Sequence, residues 1–293
     1  MLHSIPHRPL KLHSGTEFSM RCVLDHTLYN GGNDGGATPT WFPYYPGYYH
    51  YKVDTTVEGD MLIPMRNEGR IAGTKCGLDI IMPESTDEHC DLMIKSNSGA
   101  ILVSRDPDHS EYVPMTFVCG KEFSESDFDQ SINDAYAAAI TLALTPLEEY
   151  TWNVVQIDVE MTDPYMQGCG ITESRDTLFK PETPNIYDAD GREIGCKIDI
   201  QTAKEAAFYC PAPYILDPPN CFDQVYVNGE VKDLSEVSYS LVASRTNHFV
   251  TLKVDCRVVG AGEMLRQTPP LECRCVTIKG VVLSTIQIEN YYA

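Results

Sequence analysis

Phe208-Tyr209-Cys210-Pro211, Asp217-Pro218-Pro219-Asn220-Cys221-Phe222 and Leu271-Glu272-Cys273-Arg274-Cys275 are the segments on which the reading of this chain turns. Successive side chains of a strand point to opposite faces, so Cys273 and Cys275 leave a strand on the same side. That placement suits two parallel crosslinks into a facing sheet better than one tetrahedral ion. Zinc sites are usually built from paired cysteines or from cysteine with closely spaced histidine. Here Cys22, Cys76, Cys90, Cys119, Cys169, Cys196, Cys210, Cys221 and Cys256 each stand alone. Eleven cysteines in 293 residues therefore read as a disulfide framework formed in an oxidising compartment, with no metal or other cofactor expected.

Composition narrows the class further. The chain carries 42 acidic and 22 basic side chains, a formal charge of −20, and 43% apolar residues. It is long enough for two cored domains, and disorder is excluded. A charge of that sign repels a phosphate backbone, and no Lys/Arg cluster offsets it locally, so nucleic acid is not an expected partner. No apolar run reaches the roughly 18 residues of a membrane-spanning helix. The first six residues lack the apolar core of a secretory signal, and residues 287–293 lack a hydrophobic anchor tail. The expectation is that such segments were trimmed or that the protein is released, with membrane contact only through an anchor outside this chain. Asn-x-Ser/Thr sequons are absent.

Short alternating apolar runs such as Val154–Val159 and Val276–Leu283 read as strands, and Asn228-Gly229 and Asp190-Gly191 read as hairpin turns. One longer helix is expected between Ser131 and Leu144, where Ala135-Tyr136-Ala137-Ala138-Ala139 combines high helix propensity with a stop at Pro146. Acidity is concentrated in the first half, net −15 over residues 1–164 against −5 over 165–293. Between Glu122 and Asp163 there is no Lys or Arg at all, which reads as a solvated insertion and connector. The expected division is a flexible start over 1–15, a first domain over 16–164 and a second over 165–293.

Read from Met166, the second half runs Gly168-Cys169-Gly170, Gly195-Cys196-Lys197, Tyr209-Cys210-Pro211, Pro218-Pro219-Asn220-Cys221-Phe222 and Cys273-Arg274-Cys275. This resembles the six-cysteine, s48/45-type domain family of apicomplexan parasite surface proteins. The resemblance implies a β-sandwich of mixed parallel and antiparallel strands. It also implies the pairs Cys169–Cys196, Cys210–Cys275 and Cys221–Cys273. The first half is a weaker copy in which Cys22, Cys76, Cys90 and Cys119 are expected to be disulfide cysteines of unassigned pairing. The fold class expected is therefore mostly β: two tandem disulfide-stapled β-sandwiches with short helices.

Cys256 departs from the family pattern. In Val250-Thr251-Leu252-Lys253-Val254-Asp255-Cys256 it shares a face with Val250, Leu252 and Val254 and is expected to be a buried free thiol, the alternative being an intermolecular disulfide. No His lies in a Gly-x-Ser-x-Gly or His-Glu-x-x-His context, so nothing marks a catalytic nucleophile. The acidic run Asp106–Glu111 lacks the spacing of a calcium loop and reads as a solvated turn. Gly31–Gly36 lacks the Lys-Ser/Thr of a phosphate loop.

The feature that most invites a binding hypothesis is Trp41-Phe42-Pro43-Tyr44-Tyr45-Pro46-Gly47-Tyr48-Tyr49-His50-Tyr51. Its prolines and glycine break any long strand, so Trp41, Tyr44, Tyr45, Tyr48 and Tyr49 are candidate partner-binding side chains. The competing account is that the rings fold onto the sandwich as an extra hydrophobic patch. The resemblance implies a non-catalytic protein at the parasite surface or secreted from it. Its role would be host-cell attachment, immune evasion or gamete recognition. Its partner would be a host or parasite protein, a heterodimer with another six-cysteine protein included. The alternatives are a structural coat component or, less in keeping with the residues, a secreted hydrolase.

Overall fold

The computed structural model describes residues 2–4, 8–23, 38–54, 61–75, 77–83, 85–121, 152–255, 257 and 268–292. The helix expected between Ser131 and Leu144, and the thiols of Cys76 and Cys256, lie outside these. The chain divides into two units, Met1–Met161 and Thr162–Ala293.

The strands of the first unit are β1 (Leu2–Ser4), β2 (Leu10–Leu12), β3 (Glu17–Cys22), β4 (Pro39–Phe42), β5 (Tyr49–Asp54), β6 (Met61–Arg66), β7 (Ile71–Gly73), β8 (Leu78–Ile81), β9 (Cys90–Ser96), β10 (Leu102–Ser104), β11 (Tyr112–Lys121) and β12 (Trp152–Glu160). β11 lies at the centre of a seven-stranded sheet, and β12 beside it is antiparallel to β11 and parallel to β1 and β2. The expected flexible start is thus corrected: two of its segments are sheet strands, because Leu10 and Leu12 alternate and the Leu12 side chain is fully buried. β3, β9 and β8 form a second, three-stranded layer. Phe117, Ile157 and Met115 from the large sheet share one core with Leu92 and Ile94 of β9.

The second unit contains β13 (Gln167–Gly170), β14 (Asn185–Tyr187), β15 (Glu193–Asp199), β16 (Glu205–Tyr209), β17 (Ile215–Asp217), β18 (Gln224–Val227), β19 (Glu230–Asp233), β20 (Leu241–Arg245), β21 (Val250–Val254), β22 (Leu271–Val276) and β23 (Val282–Glu289). Three single-turn helices, α1 (Arg175–Leu178), α2 (Ile200–Ala203) and α3 (Leu234–Val237), join them. One sheet runs β13-β16-β21-β20; the other runs β14-β15-β23-β22-β18-β19, with β17 against β22. β13 pairs β16 in parallel, as β15 does β23, while the remaining pairs of the unit are antiparallel. Phe208 and Leu252 from one sheet and Val225, Leu271, Ile286 and Ile288 from the other form a single buried cluster, the core of a sandwich.

Local chemistry explains several joints. Asn228 (φ 53°) and Gly229 (φ 83°) supply the two consecutive positive φ angles of a tight hairpin turn between β18 and β19. Val276–Leu283, expected to be one strand, is instead the reversal between β22 and β23. Gly280 has φ 80°, and Gly280 N–H donates to Thr277 O at 2.8 Å, so the chain folds back within an apolar run. The unit boundary lies between Met161 and Thr162, and Asp163, just past it, is held by the loop between β20 and β21. Its Oδ1 accepts from His248 N at 3.0 Å and its Oδ2 lies 2.6 Å from His248 Nδ1.

Candidate binding surfaces

Four disulfides lie among the described residues. Cys169 on β13 bonds Cys196 on β15, linking the two sheets of the second unit, with sulfurs 2.06 Å apart. Cys273 and Cys275 point inward from β22, both fully buried, on either side of Arg274. Cys275 bonds Cys210 and Cys273 bonds Cys221. One strand is thereby stapled at two points to the segment between Cys210 and Cys221. On the outer face Arg274 lies 4.4 Å from the centre of the Tyr226 ring. The Tyr226 hydroxyl donates to Asp217 at 2.9 Å, and that bond is the main reason its proton is held more tightly than usual.

In the first unit Cys22 bonds Cys119, joining the three-stranded layer to β11. The expectation that Cys90 is a disulfide cysteine is corrected: it carries a free, buried thiol. Cys90 sits opposite Cys22 in the register of β3 and β9. The Cys22 sulfur is taken across the core by Cys119, and Cys90 Sγ rests 4.0 Å from Met82 Sδ.

The aromatic segment splits into two populations. Trp41, Phe42, His50 and Tyr51 are core residues, each at most 2% exposed. Trp41 is therefore withdrawn as a partner-binding residue: β4 pairs along β11 and turns the indole inward, where Nε1 donates to Cys90 O at 3.0 Å. Tyr44 is half-buried, its ring 4.8 Å from that of Phe42. Tyr49 is also half-buried, with the Arg66 guanidinium 5.8 Å from its ring centre. Only Tyr45 and Tyr48 are open to solvent, at 50% and 67%. They sit on a turn closed by Tyr48 N–H and Tyr49 N–H donating to Tyr45 O, both at 3.0 Å.

A buried cluster in the first unit engages its titratable groups in internal pairs. Arg70, 3% exposed, donates to Asp106 Oδ2 through Nε at 3.0 Å and Nη2 at 2.6 Å, and through Nη1 to Pro114 O at 3.0 Å. His50 bridges Arg70 Nη1 at 3.0 Å and Asn67 Oδ1 at 2.7 Å. Burial pushes the His50 imidazole down to about 4, with the Arg70 charge adding to the effect and the Asn67 bond opposing it. Burial would raise the Asp106 carboxyl. Hydrogen bonds from Arg70, the Asp108 backbone and His109 overcome it and hold the group at about 2. The acidic run is thus anchored on a buried arginine at its first residue rather than solvated throughout. His89 does lie 3.1 Å from Thr86 Oγ1, but that hydroxyl is engaged in its own turn with the backbone of Glu88 and His89. No group of three or more metal-ligating side chains occurs among the described residues, nor does any described helix have the length and apolarity to cross a membrane.

Two surfaces escaped the sequence reading. Ile278, 78% exposed, and Val281, at 58%, crown the turn between β22 and β23. The glycine at 280 inside an apolar run was the available signal. The second is a groove along β20, where α3 and the ends of β18 and β19 leave a volume of about 680 Å³. No local sequence signal marks it, because it is made by segments that meet only through the sheet order.

The molecule is, by its architecture, a disulfide-stapled β-sandwich protein. Residues 166–277 match the sexual stage antigen s48/45 domain. The second unit is accordingly a member of that domain family, the six-cysteine domain of apicomplexan surface proteins. Solved structures are similar over nearly the whole chain at low scores. Plasmodium falciparum protein Pf12p has 13% identity over 97% of this chain and 92% of that one, with a TM-score of 0.30. SporoSAG from Toxoplasma gondii has 10% identity over 98% and 99%, with a TM-score of 0.27. Bovine butyrophilin has 10% identity over 98% and 96%, with a TM-score of 0.20. The family rests on the match over residues 166–277. No curated protein matches the chain.

Proposed function

We propose that this chain is a non-catalytic binding protein, displayed on or released from the surface of an apicomplexan parasite. Its role is host-cell attachment or invasion, immune evasion or gamete recognition. The observation that carries the reading is a coincidence. The s48/45 match covers the unit in which three disulfides pair six cysteines around a sandwich core. A domain that commits the six cysteines of its pattern to crosslinks offers shape and surface rather than reacting groups. The partner is a host or parasite protein, a second six-cysteine protein in a heterodimer among them.

The test is saturable binding of the oxidised recombinant chain to host cells and to parasite surfaces, with the reduced and alkylated chain as control. Saturable binding by the oxidised chain that reduction abolishes is the expected result. Absence of saturable binding to either surface, or equal binding after reduction, would overturn the proposal.

A further inference from the structure

β20 is the outermost strand of its sheet, with β21 as its described neighbour. The pairing parity between them is set at both ends: Asp255 N–H donates to Ser240 O at 2.8 Å, and Thr246 N–H donates to Phe249 O at 2.9 Å. In an antiparallel pair, residues two apart share the same backbone direction. Since the register Leu241↔Val254 through Arg245↔Val250 is unbroken, the backbone groups of Val242 and Ser244 turn toward β21. Those of Leu241, Ala243 and Arg245 turn to the other side, where no described strand pairs with β20. Exposed edges are usually blunted with charged side chains, above all lysine, or with proline or a bulge; Leu241-Val242-Ala243-Ser244-Arg245 carries only Arg245, at its end, where the guanidinium reaches Pro219 O.

The groove lies along this edge. Its wall includes Leu234, the buried first residue of α3, and the side chains of Asp223 and Asp233, both exposed, and no Lys or Arg is among its lining residues. A strand laid on β20 would direct alternate side chains inward past Leu241 and Leu234, and the residues between them outward. The two carboxylates at the rim select positive charge on the occupant. A second copy of this chain, at a formal charge of −20, is a poor electrostatic match. We propose that the β20 groove takes an extended segment of a partner protein with alternating apolar and basic residues, which adds to the sheet as a fifth, antiparallel or parallel strand. The inference rests on the binding role proposed above and names a site for it.

The probe is an acetylated peptide alternating valine and lysine, added in excess to the full oxidised chain, with a valine–glutamate peptide as control. Site-resolved amide exchange should show Leu241, Ala243 and Arg245 unprotected in the free chain and slowed about fivefold or more by the basic peptide, each gaining roughly one hydrogen bond. Val242 and Ser244, already bonded to β21, should change little. Protection of the three edge amides before any peptide is added would mean that the edge is already filled and would overturn the proposal, as would equal affinity for the acidic peptide.

Ala243→Pro removes an outward N–H at a position where an edge strand tolerates proline, and should abolish the peptide effect. Asp223→Asn with Asp233→Asn leaves the backbone intact and should weaken the basic peptide while sparing the fold. If these variants bind cells as well as the parent chain does, the groove is not the partner site although the binding role stands. If the parent chain protects its edge with peptide yet binds no cell, the groove survives and the role fails.

Discussion

Cys22 and Cys90 stand opposite each other on neighbouring antiparallel strands, yet the Cys22 sulfur is bonded to Cys119 on the facing layer, and Cys90 keeps its thiol. The bond therefore ties the two layers of the first unit together rather than two strands that backbone hydrogen bonds already join. A crosslink across a 97-residue separation removes denatured-state entropy. It stabilises on the order of 3 to 5 kcal/mol in the chain-entropy view.

Cys90, 1% exposed, should resist alkylation by iodoacetamide in the native chain and react at once in denaturant. Peptide mapping under non-reducing conditions should return Cys22–Cys119 as one linked pair with Cys90 outside it. Fast labelling of native Cys90, or its recovery in a disulfide, would contradict the packing described.

The His50–Arg70–Asp106 chain predicts acid sensitivity with a definite window. The His50 imidazole, at about 4 when folded, binds its proton more readily when unfolded, near 6.5. Between those values the unfolded state holds more protons. Stability contributed by neutral His50 is therefore complete above about 6.5 and is lost as pH falls toward 4, on the order of 3 kcal/mol in total. Asp106, lowered to about 2, contributes stability above its unfolded value that is lost as pH falls through 2. Both tryptophans, Trp41 and Trp152, belong to the first unit, so their fluorescence reports its urea midpoint. His50→Gln should flatten the dependence of that midpoint on pH between 4 and 6.5; an unchanged slope would remove His50 from the account.

The divided aromatic segment predicts opposite outcomes for neighbouring residues. Trp41→Ala empties a core position and breaks the bond to Cys90 O, and should destabilise the first unit by about 3 to 5 kcal/mol. Tyr45→Ser with Tyr48→Ser changes exposed rings and should stay within about 0.5 kcal/mol. Any loss of partner binding in that double variant then reads as contact rather than folding, and a large fall in melting temperature would place both rings in the core instead.

Gly195 precedes the stapled Cys196 with φ 154°, and a Cβ there would lie 1.8 Å from Thr285 O on the paired strand β23. Backbone, not a flexible side chain, occupies that space. Gly195→Ala should destabilise the second unit by more than about 3 kcal/mol, seen as a lowered urea midpoint of the second unit by far-UV circular dichroism. By contrast, nothing lies within 4 Å of a Cβ on Gly191, where alanine meets only the strain of φ 76°. Equal stability of the two variants would refute the close approach.

Much of the second unit was legible because its signals are local. The C-x-C at 273–275 needs only strand alternation to put two sulfurs on one face. Asn228-Gly229 needs only the two residues' tolerance of positive φ. Misreadings came where an identical local pattern serves two ends. The apolar run 276–283 has strand composition but reverses direction at Gly280, and the aromatic run 41–51 gives no hint of which rings a β11 pairing will turn inward.

Side-chain chemistry and alternation along the chain were enough to dictate a mostly β protein with sulfur staples and an acidic surface. That Cys90 stays reduced, which tyrosines of the aromatic segment reach solvent and where a described sheet ends were decided by strand order and register. Those are relations between residues far apart in the chain, such as Cys22 with Cys119 and Leu241 with the wall at Leu234, and they come into being only when the layers pack.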